Sequence, residues 1–186
     1  MSNNEKTSPP STLAALLKDK PKRGRPPRDV SRQNVYVSLT KQQKLFMKEL
    51  AAQLPKGVVK ADIPDLAVAA LSARMEALRQ AVSDRDREIP EGITDLDSLY
   101  LLWDLSMPEG EDEERKWTSI RLSPQPAIEL GRWHGTLYAV FSANRSETFS
   151  LGLALFAQFW NTVGTEVAGK SFTLASMRKL ILGNYL

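Results

Sequence analysis

The sequence predicts a mainly α-helical protein carrying a two-stranded antiparallel β-ribbon, built from one strand–helix–helix unit used twice. Three observations carry this. Two heptapeptides alternate apolar and polar residues, QNVYVSL at 33–39 and WTSIRLS at 117–123. Each is followed by two stretches with helical spacing of apolar residues. The copies begin 83 residues apart, at Asn34 and Trp117, and a fixed offset of this kind marks an internal repeat.

In the first copy Val35, Val37 and Leu39 point to one side and Asn34, Tyr36 and Ser38 to the other. Thr40 suits the N-cap of a helix over 41–54, whose apolar face holds Leu45, Phe46, Leu50 and Leu54. Pro55 and Gly57 end it, and Asp62 with Pro64 signals a second helix over about 63–82. In the second copy Ile120 and Leu122 point inward, and Trp117, Ser119 and Arg121 outward. Ser123 is the expected cap of a helix reaching about Ala143. Asn144-Arg145-Ser146-Glu147 interrupts the pattern before a strongly apolar helix over about 147–163.

A connecting helix is expected over 94–105, an acidic loop over 108–114, and a final amphipathic helix over 172–182. The expected organisation is therefore a disordered basic arm (1–32), a first unit (33–83), an acidic connector with a short helix (84–116), a second unit (117–164) and a C-terminal amphipathic helix (165–186).

The 186 residues carry 25 Lys+Arg and 22 Asp+Glu, a net +3. That small total hides a segregation. Residues 1–40 hold eight basic and three acidic residues, and 41–83 hold seven and four. Residues 84–116 hold four basic and twelve acidic, whereas 117–186 hold six and three. Basic modules flanking an acidic connector favour a polyanionic partner, through release of its counterions.

With no cysteine and one histidine, thiol catalysis, disulfides and Cys/His zinc sites are excluded. His134 reads as a structural or surface residue, and the contiguous acids Glu111, Asp112, Glu113 and Glu114 lack calcium-loop spacing. No nucleotide-binding or hydrolase motif occurs. Neither an enzyme, a cofactor nor a metal is expected. The longest apolar stretch, Phe149 to Trp160, is too short to span a bilayer. With no secretory h-region at the N-terminus, a cytoplasmic protein is expected.

A lone seven-residue strand must pair, and two copies supply the partner. One strand and two helices, twice over, resemble the ribbon-helix-helix DNA-binding family across roughly 33–82 and 117–163, making the chain a tandem pseudo-dimer. The resemblance implies a ribbon in the major groove whose outward residues read base edges: Asn34, Tyr36 and Ser38 from one strand, Trp117, Ser119 and Arg121 from the other. Arg121 is suited to guanine and Asn34 to adenine, with Ser38 and Ser119 as permissive hydrogen-bonders. Tyr36 and Trp117 would touch a thymine methyl or brace the phosphodiester chain.

The family also holds phosphates at the N-terminus of its second helix, which transfers to Asn144, Arg145 and Ser146. The first copy departs from this pattern: its turn, 55–64, is longer, and Asp62 would repel a phosphate. An asymmetric clamp with the stronger grip in the second copy is the expectation. The tandem arrangement also resembles relaxosome accessory proteins of conjugative plasmids, and unlike reading strands imply unlike half-sites.

In the arm, Arg23-Gly24-Arg25-Pro26 within Lys20–Pro27 resembles an AT-hook, a flat basic segment for the A·T minor groove. The leading functional expectation is a sequence-specific double-stranded-DNA-binding transcriptional repressor. The alternatives are an architectural or partner-recruiting protein of a mobile element (relaxosome accessory, partition complex or similar) and an antitoxin. In the former the C-terminal helix or Leu96–Leu105 would dock a protein partner, and in the latter a terminal segment would mask a toxin. A ribbon formed between two chains instead of within one would make a homodimer.

Overall fold

The computed structural model describes residues 31–83, 93–107, 114–167 and 169–185. The element order is β1 (Gln33–Leu39), α1 (Lys41–Gln53), a 3-10 turn (Lys60–Asp62), α2 (Ile63–Ser83), α3 (Leu96–Leu102), β2 (Lys116–Leu122), α4 (Pro124–Phe141), α5 (Arg145–Val167) and α6 (Leu174–Tyr185). The described residues are thus mainly helical, with one two-stranded antiparallel sheet. The ribbon forms within one chain. None of these helices is long and apolar enough to cross a membrane.

Local signals set most element starts. Thr40 forms a reciprocal capping box with Gln43: its hydroxyl accepts the Gln43 N–H at 3.1 Å, and Gln43 Oε1 accepts the Thr40 N–H at 3.1 Å. Asp95 caps α3, and hydrogen bonds from the Ser98 hydroxyl and N–H hold its carboxyl below the usual aspartate range. Thr173 caps α6 by accepting the Ser176 N–H at 3.1 Å.

Some boundaries differ from the sequence expectation, each for a visible reason. The connecting helix stops at Leu102, and Asp104 then adopts a left-handed φ of 51°. Helix α5 runs through Gly164 to Val167 instead of ending there, because that glycine leaves room for Trp160: a Cβ on it would lie 3.1 Å from the indole. Ser123 stands at the N-cap of α4 but makes no side-chain cap bond. Its hydroxyl turns to Asp65 instead, at 2.6 Å.

Helices α2 and α5 cross at the centre. Nearly every side of the first half of α2 is buried, including Leu66, Ala67, Ala70 and Leu71, and α5 contributes Phe149, Leu151, Leu155, Phe156 and Phe159. A helix apolar all round belongs inside a domain. The axes approach closely at Gly152, where a Cβ would sit 2.8 Å from the Ala67 carbonyl oxygen and 3.3 Å from Leu71 Cβ. Gly152→Ala is expected to lower stability by about 1–3 kcal/mol through overpacking, overriding the helix-propensity gain of at most about 1 kcal/mol. Gly131→Ala and Gly135→Ala, whose added methyls would meet nothing within 4 Å, should show that gain alone. Urea midpoints separate the three, and a stabilised Gly152→Ala would contradict the close crossing.

The remaining helices close the core around this pair. Helix α6 lies along α2 with Met177 and Ile181 fully buried. From α3 and the residues after it, Leu99, Tyr100, Trp103 and Leu105 are buried, and Gln158 of α5 donates to the Trp103 carbonyl at 2.8 Å. The long 55–64 turn also has a use. Gly57, at φ 93°, brings its backbone against Phe172, where a Cβ would lie 2.2 Å from the carbonyl oxygen. The Phe172 N–H donates to Lys56 O at 2.8 Å, tying the turn to the segment that leads into α6. Of the apolar face of α6, Met177 and Ile181 are thus spent on the core, with Leu174 and Leu180 half-buried against it.

Candidate nucleic-acid interface

Strand register decides which side chains act together. Asn34 stands opposite Arg121, Tyr36 opposite Ser119, and Ser38 opposite Trp117. Directly opposed residues in an antiparallel pair project from the same face, so all six predicted reading residues share one surface. The other face carries Val37, Leu39, Ile120 and Leu122, each buried, with Val35 and Thr118 half-buried. A slip of one residue would turn this apolar set outward, so burial pins the register. On the outer face Tyr36 is 64% and Trp117 74% exposed, unusual for rings with an apolar core close by.

The register brings residues at the expected 83-residue offset opposite each other at one pair. Residue n of β1 corresponds to n + 83 in β2, and Tyr36 pairs with its own counterpart Ser119. A local pseudo-two-fold axis therefore passes between these two residues.

The end of β1 is tied to α5, and the residue after β2 to α2. The Ser38 N–H donates to Ser146 Oγ, at the start of α5, at 2.8 Å. The Ser123 N–H donates to Asp65 Oδ1, in the first turn of α2, at 2.9 Å. These bonds satisfy two backbone donors that a two-stranded ribbon cannot pair internally.

The predicted phosphate site divides into different roles. Asn144 caps α5, its Oδ1 accepting the Ser146 N–H at 2.9 Å and the Glu147 N–H at 3.1 Å. Glu147 Oε2 in turn accepts the Asn144 N–H at 2.7 Å. The helix N-terminus is therefore already supplied with acceptors, one of them a carboxylate that competes with any phosphate. Ser146 is buried and its hydroxyl serves the ribbon. Of the three residues, Arg145 alone offers an exposed cation, with no ion pair among the described residues.

Arg32 is the residue the sequence reading missed. Assigned there to the disordered arm, its side chain is only 7% exposed. It pairs with Asp62, lies 3.2 Å from Asp65, and donates to the Ala61 carbonyl. Asp62, expected to repel a phosphate, is instead buried beside this guanidinium, and its Oδ2 accepts the Val59 N–H at 2.8 Å.

Other cations border the ribbon. Lys116 is exposed beside Trp117, 3.2 Å from Glu114, and Lys44 of α1 donates to the Lys116 carbonyl at 3.2 Å. His134 lies away from this face on α4, its ring 6.0 Å from that of Tyr138. Among the described residues no three His, Cys, Asp or Glu side chains group as metal ligands would. The AT-hook-like residues Arg23, Gly24, Arg25 and Pro26 lie outside the described residues, as do Glu111, Asp112 and Glu113. No protein-family model, curated protein or solved structure matches the chain.

Proposed function

We propose that the chain is a sequence-specific double-stranded-DNA-binding protein of tandem ribbon-helix-helix design that represses transcription by occupying a promoter. One observation carries the reading: an exposed two-stranded ribbon whose six outward side chains, including Arg121, Asn34 and two bared aromatic rings, share one face above a buried apolar one. Such a ribbon fits the major groove, about 12 Å wide, and Arg and Asn side chains match purine edges there. The cross-copy bonds at Ser38 and Ser123 support it further, since a rigid ribbon presents its side chains without ordering cost on binding. In this reading phosphate contact falls to Arg145, Lys116 and the basic arm rather than to the capped N-terminus of α5.

Selection of binding sites from random duplexes tests the proposal. Arg121→Ala should weaken the selected site by about 1–3 kcal/mol and relax preference at one or two base pairs. Unchanged affinity and preference would rule out readout by the ribbon. Genome-wide occupancy then separates repression from the mobile-element alternative: scattered promoter sites support the first, and one cluster at a transfer or partition locus the second.

A further inference from the structure

A hollow lies between α5, α1 and the end of α3. Ser150, Ala154, Ala157 and Asn161 of α5 recur at spacings of four, three and four, one stripe of a helix. Three of the four are small, so the neighbouring elements close around open space instead of filling it. Phe46 of α1, Tyr100 of α3 and Met107 complete a cavity of about 340 Å³. That is at the lower end of the range for small-molecule sites, about 300–1,000 Å³.

No charged side chain among the described residues lines it, in a chain that is 25% charged. Every polar side chain on the wall is a hydroxyl or an amide, among them Thr40, Gln43, Ser106 and Asn161. A charged ligand would lose its hydration there without meeting a counter-ion. A wholly apolar ligand would cover hydroxyls and amides without pairing them. The set offers both donors and acceptors, and the Phe46 ring and Met107 thioether add apolar surfaces suited to a flat ring.

Ser150 supplies an independent observation. It is 3% exposed, and its Oγ meets no hydrogen-bond partner among the described residues. A hydroxyl inside a helix commonly bonds the carbonyl four residues earlier. Thr148 and Thr162 of the same helix do so, at 3.0 and 3.1 Å. Ser150 does not, and it stands on the cavity wall. Buried hydroxyls are normally paired, so a ligand edge accounts for this one.

We infer that the cavity binds a small uncharged heterocycle with an amide-like edge, a free nucleobase or a nucleoside. Its edge bonds the Ser150 hydroxyl and its ring lies against Phe46. None of the six outward ribbon residues lines the cavity, and the site does not depend on the ribbon's reading DNA.

Calorimetric titration of the full chain with adenine, uracil, adenosine and uridine tests the site. At least one of the four should bind once per chain, and preference for base or nucleoside identifies the source. Adenosine and uridine monophosphates and glucose should bind at least about tenfold more weakly than the best of the four. Ser150→Ala should weaken binding about threefold to tenfold, the worth of one hydrogen bond. It should leave the urea midpoint of the unliganded chain unchanged or raised, because the hydroxyl has no partner to lose. Ala157→Leu, at a half-buried position, fills the cavity and should weaken binding at least about tenfold. Binding by none of the four, equal binding of the phosphates or of glucose, or unchanged affinity in either variant overturns the site. A lowered midpoint for Ser150→Ala overturns it too, since the hydroxyl would then already be paired within the protein.

Discussion

Arg32→Ala is expected to lower the unfolding free energy by about 3–5 kcal/mol, the range for removing one partner of a buried ion pair. Asp65 is fully buried and Asp62 nearly so, and the same guanidinium serves both. Truncation removes the cation and leaves two carboxylates in a poor solvent for charge. Asp65 keeps the Ser123 N–H and hydroxyl bonds at 2.9 and 2.6 Å, which favours the lower half of the range. Urea unfolding measures the loss. Adding Asp62→Asn to Arg32→Ala should recover part of it, because one stranded charge is then gone. A loss of under about 1 kcal/mol, the scale of exposed pairs, would contradict the burial. The cluster joins Arg32 to α2 and, through Ser123, to the start of α4. Its loss should therefore also loosen the ribbon.

Ending the chain before Leu174 is expected to be at least as damaging. Met177 and Ile181 are both fully buried against the core, and burial of each is worth about 1.5–3 kcal/mol. Losing both removes about 3–6 kcal/mol, against a typical total domain stability of about 5–15 kcal/mol. The Arg178–Glu129 pair, at 3.2 Å, and the Tyr185 hydroxyl bond to the Leu155 carbonyl, at 3.1 Å, go with them. Arg74, whose guanidinium sits 5.6 Å from the Trp103 ring and 5.5 Å from that of Tyr185, loses one of its two aromatic neighbours. The point variant Ile181→Ala should cost about 2–5 kcal/mol and keeps the measurement accessible if the shortened chain does not fold. Unchanged urea midpoints for both variants would return α6 to the role of a docking segment.

Much of the local structure was legible in the sequence. Alternation over 33–39 and 117–123 predicted both strands and their outward residues, because a strand with one buried face must carry apolar residues at every second position. The 83-residue offset predicted which strands pair, and Thr40 predicted the start of α1 as its N-cap, where the structure adds a capping box between neighbours three residues apart. The longer-range roles were hidden. Nothing around Arg32 distinguishes it from the basic residues preceding it, since its partners lie 30 and 33 residues away in sequence. The same holds for Ser146, whose hydroxyl reaches a backbone 108 residues distant. A phosphate site was expected there because a helix N-terminus attracts anions. Asn144 and Glu147, two of the same four residues, instead supply that terminus with internal acceptors.

For this protein, periodicity and repetition determined the elements, the sheet partners and the outward face of the ribbon. Those properties follow from pleat and helix geometry over a few residues. Tertiary structure alone decided that the C-terminal helix belongs to the core, that the 144–147 turn is capped from within, and that Arg32 is held by Asp62 and Asp65. Each of these depends on which surfaces and charges meet after the chain has closed. A buried charge finds its partner by proximity in space, which spacing along the chain does not encode.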